Sequence, residues 1–177
     1  HVCQAGSPAG YSFWEANGTD LKWEYRSITG SNNTQIRAYD MNKVKQFMTT
    51  DPYAVACVKK YGATVVPNFT AYASNAIVTN VFNYDNDWKV EVYEGADTKL
   101  MANRIYEFDP YHVLAFDVMR YKAAASINTS FATIKNLHMF RSYAKTANLP
   151  ITIKVTDNFG RVHYKTFQRP MAFSLDM

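Results

Sequence analysis

Scarcity sets the first limits on this chain. Two cysteines, Cys3 and Cys57, allow at most one intrachain disulfide, and no CxxC or Cys/His metal spacing accompanies them. Whether the two meet is left open by the sequence. Seven glycines and six prolines in 177 residues exclude collagen-like and linker-like chains. No apolar run approaches the roughly 18 residues of a membrane-spanning helix. A nucleic-acid surface needs clustered basic residues, but here the densest groups are pairs such as Lys59-Lys60. The net charge of +4, from 19 basic against 15 acidic residues, therefore reads as a mixed surface. There is no GxSxG elbow, no GxxxxGK[ST] phosphate loop and no HExxH pair. The first residues, His1 to Gly6, show neither an initiator Met nor a basic-then-apolar leader, so the chain reads as a fragment of something longer or a mature product.

What is present points to strands. Aromatic residues make up 15% of the chain, and they favour pleated, half-buried surfaces. Tyr11 to Ala16 and Leu21 to Arg26 flank Asn17-Gly18, a hairpin signal, with Thr19-Asp20 suggesting a slightly longer loop. In the second arm Leu21, Trp23 and Tyr25 alternate with Lys22, Glu24 and Arg26, which predicts one apolar face packed on a core. Gln35 to Tyr39 predicts a third strand. Val44, Phe47 and Met48 recur at helical spacing, and Asp51-Pro52 then offers a cap and a helical first position. Residues 42–62 are read as two short helices inserted in a β domain. Ala76 to Tyr84 and Trp88 to Tyr93, around Asp85-Asn86-Asp87, predict a second hairpin. Further strands are expected over Leu100 to Tyr106, Leu137 to Arg141, Ile151 to Val155 and Val162 to Thr166, the last two joined by a turn at Asp157 to Gly160. Asp109 to Phe116 opens either a helix or a turn, and Ala123 to Phe131 reads as a long exposed loop. The whole is one mainly β domain over residues 1–177, an antiparallel immunoglobulin-like β-sandwich with a short helical insertion near residues 42–62.

Side chains able to do chemistry are sparse. Of the four histidines none pairs at i, i+4, and His138 and His163 sit in alternating strands, where sheet-surface positions are the simpler reading. Asp109-Pro110-Tyr111-His112 is the nearest approach to a constellation, because its two polar side chains can converge on one side of a turn. Asp85, Asp87, Glu91 and Glu94 surround one predicted turn, where turn chemistry explains them. Trp14, Trp23 and Trp88 are open to two readings, core packing or a sugar-stacking platform, and the face shared with Leu21 favours the core. N-x-[ST] triplets begin at Asn17, Asn32, Asn68 and Asn128 and matter only in a eukaryotic secretory pathway.

Several blocks, in order along nearly the whole chain, carry a family resemblance. They are Cys3 to Tyr11 (CQAGSPAGY), Glu15 to Ser27 (EANGTDLKWEYRS), Gln35 to Asp40, Val81 to Asp85 and Trp88 to Glu94. Asp109 to His112, His138 to Phe140, Lys154 to Val162 and Arg169 to Ser174 continue the series. Together they resemble the C-terminal domain of bacterial calcineurin-like phosphoesterases. The resemblance implies a parent with a central metallophosphatase domain holding a two-metal site, with residues 1–10 as the linker region from that absent domain. The family's catalytic motifs (D-x-H, G-D, G-N-H-[DE] and G-H-x-H) do not occur here, so no catalytic residue, metal ligand or cofactor is assigned to this chain. The divalent metals are expected in the absent domain, which is also the expected partner. The resemblance thus implies a non-catalytic accessory domain that packs on and supports the phosphatase domain and shapes substrate access. Asp109 and His112 are the candidate functional edge. Export of the parent to the periplasm or beyond is a further implication. The alternative is a carbohydrate-binding or adhesion module with glycan as ligand.

Overall fold

The computed structural model describes residues 3–28, 34–63, 65–123, 128 and 130–176. Strands β1 (Gly10–Asn17) and β2 (Asp20–Ser27) form a hairpin, and β3 (Ile36–Asp40) leads straight into helices α1 (Met41–Thr50) and α2 (Pro52–Tyr61). A 3-10 turn (Phe69–Ala71) precedes β4 (Ala76–Val81), β5 (Lys89–Glu94), β6 (Thr98–Leu100) and β7 (Asn103–Glu107). Helix α3 (Pro110–His112) continues through a π-helical segment (Val113–Asp117) into α4 (Val118–Ala123). Strands β8 (Asn136–Tyr143), β9 (Ile151–Thr156) and β10 (Val162–Phe167) complete the fold.

The strands make two four-stranded antiparallel sheets, ordered β3-β4-β8-β7 and β10-β9-β5-β6, with the β1-β2 hairpin apart from both. The mainly β reading holds, and the two sheets face each other as a sandwich. The first sheet is covered on both sides. Ile36, Ala38, Ile77, Val81 and Phe140 meet Val92, Leu100, Ile151, Ile153 and Val155 of the second sheet. On its other face Tyr39, Ala76, Val78 and Met139 meet Val44, Met48, Ala54, Cys57, Val113, Leu114 and Val118 of the helices. Period-two geometry sends alternate side chains to opposite faces. A strand covered on both faces therefore needs no polar-apolar alternation, and β4 is buried at all six positions.

Local chemistry sets the helix ends. The Asp40 carboxylate accepts from Asn42 N at 3.2 Å, and Asp51 accepts from Tyr53 N and Ala54 N at 3.0 and 2.9 Å with Pro52 in the first turn. Two orphaned donors are thereby satisfied at the second helix. The two helices expected over 42–62 are present. They form, with α4, a third layer packed on the sheet.

Four sequence expectations change. The first hairpin turns on two residues, Gly18 and Thr19, since Asn17 pairs with Asp20. Gly18 takes a φ of +61°, which a tight turn of this kind demands at its first position. Ala76 to Tyr84 and Trp88 to Tyr93 are not a hairpin: β4 already has β3 and β8 on its two edges, so β5 crosses to the other sheet. The single strand expected over Leu100 to Tyr106 is two, because the chain leaves the second sheet after Leu100 and joins the first at Asn103. Finally, Leu21 does not pack on a core; it is 50% exposed. The Asp157 to Gly160 turn is as expected, with Asp157 Oδ1 accepting from the Phe159 and Arg161 amides. Most of the loop expected over Ala123 to Phe131 lies outside the described residues. Cys3 is exposed, Cys57 is buried, and both are free thiols.

Candidate functional site

Asp109 begins as a helix cap. Its Oδ1 accepts from His112 N at 2.9 Å, and Pro110 follows in the first turn, where a missing N–H costs nothing. The carboxylate is fully buried, however, and lies under the first sheet's helical face. There Oδ2 accepts from the Tyr39 hydroxyl at 2.7 Å and from Asn80 Nδ2 at 2.9 Å, while Arg37 approaches Oδ1 at 3.7 Å. Burial pushes the Tyr39 hydroxyl well above its usual pKa, and the Asp109 charge adds to the shift, so Tyr39 stays a donor. A carboxylate with this set of donors is a fastener.

What it fastens is the start of the described chain. Gly6 sits so close that a Cβ there would lie 2.3 Å from Asp109 Cβ, and its φ of +83° also suits glycine. Arg37 donates to Gly6 O at 2.7 Å, and Asn80 and Asn136 donate to Ala5 O at 2.9 and 3.2 Å. Gln4 bonds to Ala132 O and accepts from Ile134 N. The described part of the segment read as a linker is thus held against strands β3, β4 and β8.

His112, 4% exposed, faces a different partner set. Thr133 Oγ1 donates its single proton to Asp117 Oδ2, and the Thr133 amide donates to the same oxygen at 2.9 Å. Thr133 Oγ1 is therefore an acceptor toward His112 Nδ1, which places the ring proton on Nδ1. Burial lowers the His112 pKa, and the opposing pull of Asp117 and Asp109 does not reverse it. The neutral ring stacks on Phe116 at 5.1 Å. The π segment explains the reach. Five α-helical steps of about 100° would put His112 and Asp117 about 140° apart. An i→i+5 pattern stacks them instead. Cys3, Gln4, His112, Phe116, Asp117, Arg120 and Phe131 line an open cleft of about 550 Å³ beside this chain of bonds.

Asp109 and His112, expected as a functional edge on a turn, are both buried, joined through the His112 amide while their side chains serve separate partner sets. The sequence reading missed Arg37, Tyr39, Asn80, Asp117 and Thr133. Only the Asp-Pro cap had a local signal. His138 and His163 are half-buried in β8 and β10, and burial lowers the pKa of both. His1 lies outside the described residues. Among the described residues no group of three or more His, Cys, Asp or Glu side chains is placed to hold a metal ion.

The exposed feature is the hairpin. All eight residues of β1 are exposed, including Tyr11, Phe13 and Trp14. Its root is pinned. The Tyr25 hydroxyl donates to Pro8 O, its ring meets Phe82 edge-on at 6.4 Å, and Trp23 meets Phe159 edge-on at 4.7 Å. Arg161 ties Glu24 at 3.1 Å and also donates to Trp23 O. The pairing register puts Trp14, Ala16, Leu21, Trp23 and Tyr25 on one face. Toward the tip that face runs out past the body, leaving Trp14, stacked on Trp23 at 5.5 Å, 56% exposed. The Trp23 and Tyr25 half of the core reading holds in part, and Trp88 is buried between the sheets.

Compared with known families, residues 1–163 match the model of the C terminal of Calcineurin-like phosphoesterase. No curated protein and no solved structure matches the chain.

Proposed function

The chain belongs to the family of C-terminal domains of calcineurin-like phosphoesterases, and from that premise we propose that it is the non-catalytic companion of a phosphatase domain in the same polypeptide. It docks on that domain with the tip of the β1-β2 hairpin and so supports it and borders the route to its site. The parent reaction, metal-assisted hydrolysis of a phosphoester, belongs with its metals to the other domain.

One observation carries the reading. An apolar tip of Trp14, Ala16 and Leu21 overhangs the body, in the stretch of chain that comes after the anchored residues 3–9. Apolar patches left in water mark interaction sites. The fastened entry segment holds that tip at a fixed offset from whatever precedes it. In this reading Asp109 and His112 are positioning residues that act through Gly6 and Thr133. A sugar platform needs its rings in a row on one face. Here Trp23, beside Trp14 on one face, is half-buried against Phe159, and on the other face Arg26 lies over the Phe13 ring, so neither face offers a row of open rings, which favours docking.

The test compares hydrogen exchange of the Gly10–Asn17 and Asp20–Ser27 amides in the full-length polypeptide and in the 177-residue chain. Slower exchange at the tip of the full-length protein, abolished by Trp14→Ser with Leu21→Ser, is the expected result. Identical exchange in the two contexts overturns it.

A further inference from the structure

On the helical face of the first sheet a cleft of about 530 Å³ opens between the 3-10 turn and the β7-β8 edge. That volume is within the usual range of small-molecule sites. Its polar wall consists of Asn68, Tyr72, Glu107, Lys135, Arg141 and Tyr143. Phe69, Phe108 and Pro67 supply an apolar floor.

The charges here are unbalanced. Arg141 projects from β8 on the same face as Met139 and Tyr143, with its guanidinium 5.4 Å from the Tyr143 ring. Its Nε is sealed from solvent and has no hydrogen-bond acceptor. Lys135 holds its ammonium 5.3 Å from the Phe108 ring. Among the described residues neither cation forms an ion pair, although Arg26, Arg37, Arg161, Arg169 and three lysines do. The carboxylate lining the cleft is otherwise engaged: Glu107 Oε2 accepts from the Tyr72 hydroxyl at 3.2 Å and Oε1 from Phe108 N at 2.9 Å. Burial raises the Tyr72 pKa, with Glu107 adding to the shift, so the phenol stays a neutral donor. An arginine that is partly desolvated without an acceptor is costly unless an anion completes it.

We propose that this cleft binds the oxyanion of a small phosphate monoester carried on an apolar or aromatic body. Arg141 and Lys135 take the phosphate oxygens, and Tyr143, Phe69 and Phe108 take the body. The choice of phosphate over carboxylate rests on the family reading; the anion site rests on the side chains alone.

The test is a titration of the isotope-labelled 177-residue chain with phenyl phosphate, followed by amide chemical shifts, with benzoate and inorganic phosphate as comparison probes. Phenyl phosphate is expected to shift the Asn68, Tyr72, Glu107, Lys135 and Arg141 amides saturably, and more tightly than either comparison probe. Arg141→Met should weaken binding by about tenfold or more, the worth of one charged hydrogen bond. Because Arg141 lies mid-strand, the exposed Lys135 keeps the test independent of folding, and Glu107 supplies a change of opposite sign. Lys135→Gln should weaken binding several-fold and flatten its salt dependence, whereas Glu107→Gln should tighten it by removing a like charge. Benzoate binding as tightly as phenyl phosphate overturns the phosphate assignment. Shifts spread over all surface lysines, or none at these residues, overturn the site. Neither result touches the hairpin exchange experiment, which reports on docking at separate residues.

Discussion

Strands β4 and β1 invert what composition alone would assign. β4, Ala-Ile-Val-Thr-Asn-Val, carries two polar residues and is buried at every position. β1, Gly-Tyr-Ser-Phe-Trp-Glu-Ala-Asn, carries three large aromatics and is exposed at every position. The difference lies in what each polar or apolar group finds next to it. Asn80 of β4 donates its Nδ2 protons to Ala5 O and Asp109 Oδ2, so its donors are satisfied in the interior, and Oδ1 alone is left without a partner among the described residues. Trp14 of β1 has only Trp23 on one side and water on the other. A buried polar strand is therefore a sign of internal wiring, and an exposed aromatic strand a sign of unfinished packing.

The strongest way to break this comparison is to cut the wiring. Asp109→Ala leaves Arg37, Tyr39 and Asn80 buried around a lost carboxylate, and should cost the chain about 3–5 kcal/mol. Urea unfolding measures it, and a loss under about 1 kcal/mol would mean that the donors find other partners. Next comes a direct contrast of apolar groups. Ile77→Ala, between the two sheets, should cost about 2–5 kcal/mol. Trp14→Ala should change the stability of the same chain by less than about 0.5 kcal/mol. Equal losses would show the tip already packed. The smallest effect is electrostatic. His112, His138 and His163 all have lowered pKa values, chiefly through burial. The unfolded chain then binds more protons, so the stability present at neutral pH is lost as pH falls below the unfolded value of about 6.5. The urea midpoint should fall between pH 7.5 and 5, and His112→Gln should flatten that slope.

Local chemistry was legible in the sequence. Asp51-Pro52 and Asp109-Pro110 announce helix starts through groups within four residues, and Asn17-Gly18 announces a hairpin, though not which two residues turn it. Pairing was less so. Nothing between Tyr84 and Trp88 tells β5 to cross over, because the decision rests with β8, more than forty residues later, occupying the free edge of β4. The candidate pair Asp109 and His112 was found for the wrong surroundings. Their type and spacing were visible, but the partners that bury Asp109 stand 29 and 70 residues away in sequence. The alternation of Leu21, Trp23 and Tyr25 likewise reported an apolar face without saying which molecule would cover it.

The anchoring of residues 4–6 has a practical corollary for anyone cutting this domain out of its parent. A boundary placed at Gly10, where the first strand begins, would remove the carbonyls that Arg37, Asn80 and Asn136 use and the backbone that seals Asp109. The shortened product would begin at a strand and still lack part of its own interior. In cooperative terms the unit extends upstream of its first strand, to the residues that occupy those donors.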